Sequence, residues 1–132
     1  MNLTNCYCGS HKSFQDCCEP YIKGIQKAPT AEALMRSRYS AYVTQAVDYL
    51  VATTHISQRK FHFKKEIFHW ACGNKWLKLE ILSTTKNTVE FKAYYCEMQS
   101  NQNKILETQI HHEKSTFVFE NGSWFYVNGI FY

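Results

Sequence analysis

At 132 residues and 45% hydrophobic content, the chain is long enough for a single domain around one core. Its formal charge of +4 is modest and uneven: residues 1–75 carry ten Lys/Arg against five Asp/Glu, and residues 76–132 carry five against six. A nucleic-acid reader carries a denser basic patch than this, no apolar run approaches the roughly 20 residues of a membrane span, and repeats and low-complexity segments are absent.

The first residues, Met1 to Asn5, have neither a basic n-region nor an apolar h-region, so a reducing, cytoplasmic setting is expected. Directly after them, Cys6, Cys8, Cys17 and Cys18 fall within thirteen positions. In a reducing compartment such a cluster points to metal, and four thiolates close a tetrahedron around zinc with no position left open. Cys6 and Cys8, one residue apart, share a face of an extended turn. Gly9 lets the chain reverse, and the loop to Asp16 returns Cys17 and Cys18. Adjacent cysteines make poor disulfide partners, because bridging wants Cα atoms about 5.5 Å apart. The alternative is a set of small buried hydrophobes with one reactive thiol. His11 either stands solvated in the loop or replaces one of the last two cysteines as a ligand.

Residues 19–29 read as an arm, with Pro20, Gly24 and Pro29 interrupting any helix. Thr30 then caps one long helix or two abutting ones over 31–52: Glu32 suits the first turn, and Met35, Tyr39, Tyr42, Ala46 and Leu50 recur at helical spacing. A second helix is expected over 59–72, with Phe61, Phe68 and Cys72 near one face, Lys64 and Lys65 solvated, and Gly73 as a left-handed stop.

From Trp76 the period becomes two. Leu77, Leu79 and Ile81 alternate with Lys78, Glu80 and Leu82, and Val89, Phe91, Ala93 and Tyr95 alternate with Glu90, Lys92 and Tyr94. Ile105–Phe119 is too long to lie flat, which predicts a bulge or bend. Asn121-Gly122 turns the chain into a last strand over 123–131. Helices followed by an antiparallel sheet give an α+β layout with the helices on one sheet face.

The run C-x-C-x8-C-C with Gly9-Ser10 resembles the SEC-C zinc knuckle, which also occurs at the C-terminus of the SecA translocation ATPase. Pro20-Tyr21, Gly24, Ala28-Pro29, the run Leu34 to Val43, Asp48-Tyr49-Leu50 and Thr54-His55 resemble the YchJ family of bacterial proteins. So do Glu113-x-Ser115-x-Phe117 and Glu120-Asn121-Gly122-x-Trp124-Phe125-Tyr126-Val127-Asn128-Gly129. The resemblance implies zinc on Cys6, Cys8, Cys17 and Cys18. It also implies a knuckle and arm over 1–28, and a cystatin-like, nuclear transport factor two-like α+β roll over 29–132. Knuckles of this type usually carry a lysine-rich loop, and here only Lys12 remains, beside His11, Gln15 and Asp16. Many relatives also end in a second knuckle, whereas this sequence stops at Tyr132.

A curved sheet closed by helices leaves a pocket, and the aromatic fraction of 16% suits its lining. Arg36, Arg38, Tyr39, Tyr42, Trp124 and Tyr126 are the candidate lining residues. Arg36 and Arg38 lie about 200° apart on a helix, so at most one turns inward. His55 and Glu113 are candidates for an acid/base pair, by analogy with dehydratases and isomerases on similar rolls. His111 and His112, adjacent on a strand, face opposite ways and cannot chelate together, and His62 and His69 stand two helical turns apart. Arg59 to Lys65 mixes basic and aromatic residues and offers a weak nucleic-acid contact, or simply a solvated helix start. Cys72 and Cys96 read as small core residues. Three functional classes follow: a zinc-binding adaptor with a protein partner at the knuckle or a small ligand in the roll, a small-molecule enzyme using the pocket, and a nucleic-acid associate. No membrane role is expected.

Overall fold

The computed structural model describes residues 5–98 and 107–132. The expectations placed on Met1 to Thr4 and on the start of the strand at Ile105 lie outside them. The amino-terminal loop closes on itself: Asn5 bridges Ser13, and the Cys6 amide donates to Lys12 O at 2.7 Å. Ser13 caps a short 3₁₀ turn, Phe14–Asp16, by accepting from the Asp16 amide. The arm is partly helical, contrary to expectation. Pro20 stands in the first turn of α1 (Glu19–Ile22), where its missing N–H would have no partner in any case.

α2 (Ala31–Thr44) begins where Thr30 Oγ1 accepts from the Ala33 amide at 3.0 Å, and Glu32 pairs with Arg36 one turn on at 2.9 Å. Gln45, at φ 61°, breaks the helical run, so α3 (Val47–Ala52) is a separate helix. The stretch expected as one helix over 59–72 is also two pieces, a 3₁₀ turn at Ile56–Phe61 and α4 (Lys64–Cys72), with extended backbone at Phe63 between them. That break resets the helical phase. Ile67 and Ala71 face inward, while Phe61 and Phe68 are 64% and 45% exposed. Lys64 pairs with Asp48 at the surface. Gly73 is not left-handed, its φ being −79°. Its lack of a side chain matters because a Cβ would meet His69 O at 2.7 Å.

Four antiparallel strands follow in a meander, β1 (Asn74–Thr84), β2 (Thr88–Glu97), β3 (Gln109–Glu120) and β4 (Ser123–Phe131), in the order β1-β2-β3-β4. Register shifts at Trp76/Lys78 and Ile81/Ser83 break the alternation of β1, so Leu79 is buried while Leu77 is 44% exposed. β2 keeps its period: Val89, Phe91 and Ala93 are buried. On β3 the inward residues are Glu113, Ser115 and Phe117. The expected irregularity lies in the β3–β4 pairing, where Thr116 faces Asn128 but Phe117 faces Tyr126, leaving Val127 of β4 as the extra residue. Asn121 and Gly122 make the turn with φ 53° and 81°. α2 lies across the inner sheet face. Leu34, Met35 and Tyr39 share one buried cluster with Val89, Phe91, Ala93 and Phe117, and Cys6, Cys8 and Cys18 belong to that same cluster.

Candidate metal centre and roll cavity

The loop geometry brings the Sγ atoms of Cys6, Cys8, Cys17 and Cys18 within 4.8 Å of one another. A tetrahedron with Zn–S bonds near 2.3 Å has edges of roughly 3.8 Å. Cys8 and Cys17 are 3.6 Å apart, and Cys17 and Cys18 are 3.8 Å apart, so the donor set matches a divalent soft-metal site in spacing and chemistry. Three of the four are buried, and Cys17 is half-buried. Cys6, Cys17 and Cys18 are pulled in opposite directions. Hydrogen bonds from Cys18 and Cys8 hold the Cys6 thiol far below its ordinary range, hydrogen bonds with Cys6 and Cys8 push Cys18 up, and burial pushes Cys17 up. A cation would relieve that conflict. Gly9, at φ 81°, supplies the reversal between the two pairs. His11 adopts φ 69° and is exposed; it does not belong to the four-sulfur group.

The knuckle is tied to α2. Arg36 Nη1 donates to Cys8 O at 2.7 Å, and Ser40 Oγ stands 3.5 Å from Cys6 Sγ. Arg36 and Ser40, one turn apart, thus face the cysteines. Arg38 and Tyr42, also one turn apart, turn to the other side of the helix and line a cavity of about 210 Å³ between α2 and the sheet. Its walls are largely aromatic, with Tyr39, Trp70, Trp76 and Phe91 among them. Its polar members are Arg38, Tyr42, His62, His111, Glu113, Ser115 and Tyr126.

Of the six residues proposed from sequence to line the pocket, Arg38, Tyr39, Tyr42 and Tyr126 do so. Arg36 does not, because it spans to the knuckle carbonyl and Glu32. Nor does Trp124, whose indole N–H donates to Pro29 O at 3.2 Å and whose ring packs on Phe119. The His55–Glu113 pair does not form. His55 Nε2 bonds Glu120 at 2.9 Å, and Glu120 lies seven residues from Glu113 along β3, on the opposite strand face.

Glu113 is instead held by its own neighbours. Its Oε2 accepts from Ser115 Oγ at 2.8 Å and Tyr126 Oη at 2.7 Å, and its Oε1 bonds His111 Nε2 at 2.8 Å. Burial raises its pKa, but these three bonds outweigh burial and leave it below the ordinary carboxylate value. Tyr126, buried and facing that carboxylate, is pushed well up. His112 turns the other way, bonding Glu90 on the outer face. Sequence reasoning missed His62 and His111. His62 follows the 3₁₀ turn rather than riding a helix with His69, which is why helical spacing misplaced it. The phase of His111 with Glu113 and Ser115 was the available signal. In the basic stretch, Arg59 donates to Thr54 O and Ala52 O. Cys72 and Cys96 are half-exposed rather than core.

A helix laid across a curved four-stranded antiparallel sheet, with a four-cysteine knuckle bound to the back of that helix, defines a nuclear transport factor two-like roll bearing a SEC-C motif. The model of the family described as the YchJ, middle NTF2-like domain, matches residues 30–129. UPF0225 proteins of Photorhabdus laumondii and Geobacter sulfurreducens are 36% and 38% identical, the alignments covering 95% and 96% of this chain and 79% and 80% of theirs. The solution structure of a SEC-C motif containing protein from Rhodopseudomonas palustris superposes with a TM-score of 0.83 at 35% identity, over 96% of this chain and 98% of that one. The crystal structure of a SEC-C motif containing protein from Psychrobacter arcticus gives 0.73 at 28%, over 97% and 81%. The chain belongs to the YchJ family, whose bacterial members carry the name UPF0225. Among the described residues no helix is long and apolar enough to cross a membrane.

Proposed function

We propose that the protein is a zinc-stapled small-molecule-binding protein. The observation that carries this reading is the double use of α2, whose Arg36 and Ser40 grip the cysteine knuckle while Arg38 and Tyr42 line the cavity. A metal held by Cys6, Cys8, Cys17 and Cys18 would fix the knuckle against one side of the helix and so preserve the cavity on its other side. Four protein ligands fill the tetrahedron, which suits a structural rather than a substrate-binding metal. Zinc fits the thiolate set, and a reducing cytoplasm suits six unpaired cysteines. The enzyme reading loses its proposed dyad, because His55 and Glu113 are engaged with different partners. Ligand binding in the roll is favoured over protein docking at the knuckle, because the interior is hollow and carries a buried charged wall, whereas the knuckle loop has only Lys12 as a basic group.

Native mass spectrometry of the freshly purified chain tests the staple. One zinc per chain is expected, together with loss of the cavity's tryptophan signature on chelation, since Trp70 and Trp76 line it. A chain that retains no metal, or a chelated chain with unchanged tryptophan emission, would sink the reading.

A further inference from the structure

Arg38 is 5% exposed, yet its charge is only partly met. Nη1 donates to Leu50 O at 2.9 Å, Thr53 Oγ1 at 2.7 Å and Thr54 Oγ1 at 3.4 Å. Nε and Nη2 donate to nothing among the described residues, and no carboxylate of those residues lies within 4.0 Å of the guanidinium. The Tyr126 ring lies under the guanidinium, its centroid 4.8 Å from Cζ. A guanidinium stays charged at any physiological pH, and leaving its buried donors without a carboxylate in hydrogen-bond reach is costly. Two more cavity groups, the Tyr42 hydroxyl and the His62 ring, have no hydrogen-bond partner among the described residues. Burial and the nearby Arg38 charge both push His62 down, so its ring is neutral near pH 7 and can donate or accept.

We propose that the cavity binds a small organic monocarboxylate with a flat apolar body, its two oxygens held by Nε and Nη2 of Arg38. This rests on the ligand-binding reading above and names the ligand class for it. The planar fork of a guanidinium matches a carboxylate bidentately, and the aromatic walls of Tyr39, Trp76 and Phe91 suit one flat ring. Size limits the guest: about 210 Å³ is the liquid volume of roughly seven waters, below the roughly 300–1,000 Å³ of drug-sized pockets. Glu113, ionised and lining the same cavity, repels a second negative charge. A dianion, including the doubly charged form of phosphate, is therefore disfavoured against a monoanion.

The test uses the full zinc-loaded chain, titrated with benzoate, with its neutral isostere benzamide and with inorganic phosphate. Binding is followed by calorimetry and by the emission of Trp70 and Trp76. Benzoate is expected to bind saturably at one per chain, at about millimolar affinity or tighter, about tenfold or more tighter than benzamide; phosphate is expected not to saturate. Arg38→Gln should abolish that preference. Because Arg38 also ties α2 to α3, a second variant, Ala93→Phe, fills the cavity from the sheet side and leaves Arg38 intact. It should retain zinc and lose benzoate. Equal binding of benzoate and benzamide overturns the carboxylate assignment while leaving ligand binding in place. Failure of both compounds to bind overturns the assignment and the cavity reading together, and undiminished benzoate binding by Ala93→Phe places the ligand elsewhere and overturns the assignment. Zinc content, measured separately, reports on the staple alone.

Discussion

Gly129→Ala should be one of the most damaging single-methyl additions in the molecule. Gly129 faces Ser115 across the β3–β4 ladder, and a Cβ there would sit 2.0 Å from Glu113 Oε2, 2.6 Å from Cδ and 2.8 Å from Cγ. The carboxylate must therefore leave its seat, and Oε2 is the atom that receives both Ser115 and Tyr126. Hydrogen bonds to a charged group contribute about 1.5–3 kcal/mol each, so losing two costs about 3–6 kcal/mol. Reduced freedom of the unfolded chain returns only about 0.4–1 kcal/mol. The net loss is about 2–6 kcal/mol, measurable by urea unfolding in zinc-saturated buffer. A double-mutant cycle isolates the cause, because with Glu113→Ala the obstructing carboxylate is gone and Gly129→Ala should be close to neutral or slightly stabilising. A cost below about 1 kcal/mol in the parent, or the same cost in both backgrounds, would refute the reasoning.

Three other outcomes follow. Chelation, or Cys17→Ser, should release the metal and melt the knuckle, since binding supplies roughly 10–16 kcal/mol in small zinc modules; faster amide exchange, largest over residues 5–18 and extending into α2, is the readout. Glu113 has a folded pKa below its ordinary 4.5, so the stability it contributes is fully present above about that value and is lost as pH falls through the lower folded value. The stability difference between the parent and Glu113→Gln should accordingly shrink on acidification below pH 4.5, and a difference that held constant in acid would contradict it. Thr30→Ala removes the acceptor for the Ala33 amide and should cost about 1 kcal/mol by urea unfolding, with Thr30→Ser recovering most of it.

Local chemistry was the legible part of the sequence. The cysteine spacing, the Thr30 cap, the alternation of Val89, Phe91 and Ala93 and the Asn121-Gly122 turn each depend on neighbours along the chain, and each is present in the structure. What eluded the sequence depends on partners distant in the chain. Arg36 and Arg38 could be placed on opposite helix faces, but only the fold shows that one meets a cysteine carbonyl and the other a hollow. The pairing of His55 with Glu113 failed because strand parity was not followed as far as Glu120. His62 was hidden because one extended residue, Phe63, separates a 3₁₀ turn from α4, a break that helical periodicity does not register. Gly129 reads as an ordinary strand residue until Glu113 is seen lying over it.

The two outer edges of the sheet are both guarded against stray strand pairing. Along β4, the segment after α3 covers the free side at Tyr126, with the Tyr126 amide donating to Thr53 O and the His55 amide to Tyr126 O, both at 2.8 Å. Along β1, two register shifts and the lysines at 75 and 78 leave no long, flat, uncharged run of backbone groups. A four-stranded meander would otherwise offer a longer template for strand addition at either border, and these two devices shorten the run of backbone groups left open to a stray chain.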